Sequence, residues 1–132
     1  MSLVAISIAE KSEFTGWKDE PCVSFENDSV YDTLAPYFNS YTPTATLDPY
    51  DGGKLKTDCI PGFICLLVKA REVVLNQEET WTVRTESWIQ GNQTYSRDIV
   101  AQKSQVLRVI ENLTKLAESA SSRKNQLIFI GD

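Results

Sequence analysis

The chain of 132 residues contains no histidine. That removes the usual general base near neutral pH, the Ser-His and Cys-His nucleophile pairs, and every imidazole metal ligand. Catalysis would have to rest on carboxylates, Lys, Tyr or Cys alone. The sequence also lacks a phosphate-cradling glycine loop and a Gly-x-Ser-x-Gly elbow. A protein without catalytic residues and without a cofactor is the expectation. Cysteine is scarce: Cys22, Cys59 and Cys65 are an odd set, unlike the dense even set of a secreted disulfide scaffold. The C-x5-C spacing of the last two, with no His to help, cannot complete a tetrahedral zinc site, so no metal is expected.

Long apolar runs are missing too. "LVAISIA" and "FICLLV" fall far below the roughly 18 residues of a membrane-spanning helix, so no membrane association is expected. The first lysine, Lys11, follows the N-terminal apolar run rather than preceding it, which is not the order of a secretory signal. The resulting expectation is a cytoplasmic protein with reduced thiols, in which the glycosylation-type triplets at Asn27, Asn92 and Asn112 carry no meaning.

Basic charge is deficient in one half only. Residues 1–58 hold four lysines against ten acidic side chains, a net −6, whereas residues 59–132 hold nine basic against eight acidic groups. Phosphates require clustered Lys and Arg, so nucleic acid is not an expected partner. An acidic half suits either a basic protein partner or solubility alone.

What is present reads as a regular alternation of elements. "LVAISIA" alternates with both sets apolar or small, the pattern of a strand buried on both faces, and "CVSFE" is a short strand that could pair with it. Val30, Leu34, Tyr37, Phe38 and Tyr41 fall at helical spacing behind Asn27 or Asp28 as N-cap. Pro36 implies either a kink or a helix starting near Thr33. Residues 42–56 read as one long loop. In the stretch 59–76, Ile60, Phe63, Ile64, Leu67, Val68, Val74 and Leu75 share a wide apolar arc, with Pro61 in the first turn where its missing N–H costs nothing. On this wheel Cys65 projects from the polar arc, and Cys59 sits at the positive helix start, where a thiol pKa is lowered. Residues 79–89 alternate as a strand, Gly91-Asn92 turns it into a short hairpin, and Ser96 caps a long helix over 97–121. Asn125 is assigned the left-handed position after that helix, and "QLIFI" is a final apolar strand that must be paired inside the sheet, to which both chain ends then contribute, with the strand order left open.

This order predicts an α+β two-layer sandwich of a single domain, 1–132: a mainly antiparallel sheet of 4–5 strands with about three helices largely on one face. No motif is specific enough to carry a family resemblance. The leading functional expectation is a non-catalytic protein-binding domain that meets a basic protein partner through an acidic, Tyr-rich surface of Asp28, Tyr31, Asp32, Tyr41, Asp48, Tyr50 and Asp51. An inhibitor of the immunity-protein kind is one form of it. Two alternatives stand beside it. One is a small-ligand or carboxylate-based enzyme site near 42–58, using Asp48, Asp51 or Asp58 with Tyr50. The other is a homo-oligomer subunit that covers the wide apolar face of the 59–76 helix.

Overall fold

The computed structural model describes residues 3–9, 22–25, 28–40 and 53–131. Strands β1 (Leu3–Ala9), β2 (Cys22–Ser24), β3 (Gly53–Leu55) and β6 (Asn125–Gly131) form an all-antiparallel sheet in the order β2-β1-β6-β3. A second, two-stranded ladder joins β4 (Thr80–Gln90) to β5 (Gln93–Gln102). Three helices, α1 (Asp28–Ser40), α2 (Ile60–Leu75) and α3 (Lys103–Ser122), complete an α+β fold.

The alternation of β1 becomes two buried faces. Ala5, together with Leu55, Leu127 and Phe129, faces the helices and shares one core with them, while Ile6, Ile8 and Ile128 form a second apolar cluster with Val4 and Ile130. The N-terminal and C-terminal strands are neighbours in register, Leu3 opposite Gly131 and Ala9 opposite Asn125. β-Branched residues suit such a pleated, doubly covered surface.

Four phenylalanines run through the main core and tie four segments together. Phe25, just past β2, meets Phe38 of α1 edge-on at 5.9 Å; Phe38 stacks on Phe63 of α2 at 5.7 Å; Phe63 meets Phe129 of β6 edge-on at 5.8 Å. On α2 the fully covered positions are Ile60, Phe63, Leu67, Ala70 and Val74, a 3–4–3–4 seam that packs chiefly on α3 through Val106, Val109, Ile110, Leu113, Leu116, Ala117 and Ala120. This corrects the wide arc expected for α2. Val68 and Leu75 are exposed, and Ala70, small enough to let α3 approach, takes their place in the seam.

Other boundaries also shift. Residues 53–55, expected to be loop, pair with β6 as β3; residues 42–52 lie outside the described residues. Pro36 sits inside α1 without ending it. The helix expected from residue 97 starts at Lys103, because "RDIVAQ" continues β5 and pairs with β4 as far as Thr80 opposite Gln102. The chain then turns into α3 with help from α2: Lys103 donates its backbone N–H to the Glu79 carbonyl and its ammonium to the carbonyls of Leu75 and Gln77 at 2.9 and 3.1 Å. A cation there satisfies carbonyls at the negative end of α2. At the other end of α3 the left-handed residue is Lys124, at φ 57°, and not Asn125, whose side chain instead donates to Ser7 Oγ on β1.

Candidate functional site

Three surfaces compete for a functional reading. The first is the start of α1, where the sequence placed Asp28, Tyr31 and Asp32. All three are half-buried. Tyr31 leans on the core, its ring 6.3 Å from that of Phe25, so part of its surface is structural. Asp28 and Asp32 lie one helical turn apart, and like charges at that spacing repel. Burial, and then the Asp28 charge, push the Asp32 carboxyl above its ordinary value of 3.8. The remaining residues assigned to this surface, Tyr41, Asp48, Tyr50 and Asp51, lie outside the described residues. The same holds for most of the alternative carboxylate site. Its described member, Asp58, is exposed in the 3₁₀ turn before α2.

The thiols resolve differently from the expectation for Cys59. Its partial burial, and then the adjacent Asp58 carboxylate, which accepts a 3.7 Å bond from the Cys59 Sγ, push that thiol up rather than down. Local desolvation and one near anion outweigh the Lys56 charge, which acts in the lowering direction. Cys65 is exposed on the polar side of α2, as its place on the wheel predicts, and Arg71 is also open to solvent. None of the three cysteines is in a disulfide. Among the described residues no three of Cys, Asp and Glu converge as a metal-binding group, and no helix is long and apolar enough to cross a membrane.

The second surface is the β4–β5 hairpin, which sequence reading took for a short one. Its strands are 11 and 10 residues long. Gly91 at φ 64° is the left-handed residue of the two-residue turn, the requirement of a type II′ hairpin. At its base the ladder belongs to the body: Ala101 is buried, and Trp81, Val83 and Ile99 are half-buried. Toward its tip Trp88 and Tyr95 sit opposite each other and stack at 5.9 Å with 19° between the rings, yet remain 45% and 40% exposed. Ile89 and Val100 are 76% and 61% exposed. Ile89 and Val100 lie on the opposite face of the ribbon, Val100 at its base across from Thr82, so the stacked Trp88–Tyr95 pair is the unburied apolar area of its own face.

No family model, curated protein or solved structure matches this chain. Its function is therefore argued from its own residues.

The third surface is a groove of about 400 Å³ between α1, the end of α2 and the base of β4. Pro36, Tyr37, Val73, Val74, Trp81 and Val83 make it mainly apolar, with Thr33, Gln77 and Thr82 at its polar points. Val73, on the outward side of α2, is 46% exposed there. A second hollow between β2 and α3, near Cys22 and Lys115, has a more polar lining. Of the two, the α1–α2–β4 groove has the chemistry of an apolar receptor. Sequence reading missed both the groove and the exposed ladder. The signal available was the aromatic alternation on either side of Gly91-Asn92, but periodicity alone does not say how far a ladder outruns the body that supports its base.

Proposed function

We propose that the chain is a small non-catalytic protein-binding domain that engages a basic protein partner through the acidic, tyrosine-bearing start of α1. The observation that carries this reading is the Asp28–Asp32 pair. Two carboxylates one turn apart on a half-buried helix face repel each other, and burial, with the Asp28 charge second, raises the Asp32 pKa. A partner's Lys or Arg placed between them would remove that repulsion and gain charge-assisted hydrogen bonds. Tyr31, between the two in sequence and half-open, adds contact area with a polar tip. The net charge of −5 would attract a cationic protein and make encounter faster at low salt. An inhibitor of the immunity-protein kind, masking a cationic enzyme, is one concrete form of this function.

The test is affinity capture of basic proteins from the native source at low and high ionic strength, with the wild type beside the double variant Asp28→Asn, Asp32→Asn. Both substitutions keep the side-chain shape and relieve repulsion, so loss of capture is not a loss of fold. The expected result is retention of a cationic protein that weakens with salt and falls at least about tenfold in the variant. Equal retention by wild type and variant, or no retention at low salt, would sink the proposal.

A further inference from the structure

The β4–β5 ladder leaves the body and returns to it at one place. β4 begins at Thr80 after the turn 76–79 that follows α2, and β5 runs at Gln102 directly into α3. Lys103, the first residue of α3, stands at that junction. A cation is an unfavourable choice for a helix start, because the unpaired N–H groups and the aligned peptide dipoles there already present positive charge. No acidic side chain in the first turn offsets it, and Gln102 supplies no side-chain cap. The chemistry of α3 alone therefore opposes the residue it begins with.

The bonds of Lys103 run to a different element. Its ammonium donates to the carbonyls of Leu75 at 2.9 Å and Gln77 at 3.1 Å, and its backbone N–H to the Glu79 carbonyl at 2.9 Å. Those three acceptors span the connection from α2 to β4. The turn's own bonds point the other way, back into α2: the Asn76 N–H goes to the Val73 carbonyl, the Gln77 N–H to the Val74 carbonyl, and the Asn76 side chain to the Glu72 carbonyl. They finish the helix, whereas Lys103 fastens the strand that follows it, one step below the rung that pairs Thr80 with Gln102. A long stem ending in three donors suits that reach. The ladder needs a fastening at its root, because a two-stranded ribbon is marginal alone in water and every described side chain from Ser87 to Asp98 is exposed.

We propose that Lys103 is a latch at the hairpin root. Its ammonium holds the α2–β4 turn and the β5–α3 junction as one piece, and when it lets go the root opens locally while the helices and the four-stranded sheet stay folded. The core does not depend on the latch: the turn 76–79 is exposed, and the seam between α2 and α3 is made by Ile60 to Val74 on one side and Val106 to Ala120 on the other. Val74 and Gln77 before the root, and Trp81 and Thr82 after it, are walls of the α1–α2–β4 groove. The latch thus fixes the spacing of a surface it does not line. The inference is independent of the acidic face of α1.

Residue-resolved amide hydrogen exchange on the purified full chain tests it, with two variants. Lys103→Met keeps a long unbranched stem and removes the charge and the donors; Lys103→Arg returns a cation with several donors. In the methionine variant the amides of 76–82 and 100–103 should exchange at least about tenfold faster, while those of 106–120 and of β6 change by less than about twofold and the urea midpoint barely moves. The arginine variant should recover most of the protection. The direction is diagnostic, because removing a cation from the positive end of α3 would by itself steady that helix and slow exchange beside it. Equal exchange at the root in wild type and methionine variant, a parallel rise across root and core, or no recovery with arginine overturns the proposal.

Discussion

At the scale of single residues, two side chains carry consequences that differ in kind. Asp32 has its pKa raised by burial and by Asp28, so the folded chain holds its proton to higher pH than the unfolded chain does. Stability from this group is therefore highest below the ordinary value of 3.8 and is lost as pH rises through the raised value. Asp32→Asn should accordingly raise the urea midpoint at neutral pH, with the gain shrinking as pH falls below the ordinary carboxylate range. An unchanged midpoint at neutral pH would show that Asp28 and burial cost the fold nothing. Phe63 is the opposite case, a residue with no charge and two aromatic partners. Phe63→Ala empties the middle of the four-ring chain and should cost about 3–5 kcal/mol, a large share of the roughly 5–15 kcal/mol that holds an average domain together. Denaturant unfolding measures it directly. A loss under about 1 kcal/mol would mean that Phe38 and Phe129 close over the gap.

At the scale of elements, legibility followed the competition between periods. α2 was readable because Pro61, the apolar seam and the absence of internal breakers all agree; what the wheel missed was which edge of the arc faced α3. The β5–α3 boundary was not readable, since "RDIVAQ" fits a helix as well as a strand. The choice was made by its partner "TWTVR" across the ladder, information that no local window holds. Of the candidate surfaces, the one on α1 was legible as a helix face, whereas the hairpin end was not, because exposure depends on where the body stops. The turn at Gly91 gives this element its own test. No atom lies within 4 Å of where a Cβ would sit at Gly91, so Gly91→Ala is opposed by backbone conformation alone, at about 1 kcal/mol. The expected outcome is faster amide hydrogen exchange throughout the hairpin with the global unfolding midpoint almost unmoved, since the outer ladder shares little with the core. A D-alanine at the same position should restore slow exchange. Equal exchange in the L-alanine variant would mean that the ladder, not the turn, holds the register.

At the scale of the whole molecule, charge and topology divide the labour. Binding of a basic partner through the Asp28–Asp32 face of α1 should weaken as salt rises. The fold class was legible from element order alone, because alternating strand and helix patterns of these lengths leave few ways to bury every apolar face. Strand order was not: the apolar character of the first and last strands implied that both belong to the sheet, but only the structure pairs them with each other. That pairing also sets how the molecule answers a mechanical load. Residues 3 and 131 sit opposite each other at one end of an antiparallel ladder, whose hydrogen bonds run across the strands. Tension applied between those two positions falls on the terminal pair first and then on each next pair in turn, like a zip, instead of shearing all the bonds together. The domain should therefore yield to small pulling forces from its ends even if it resists heat and urea well.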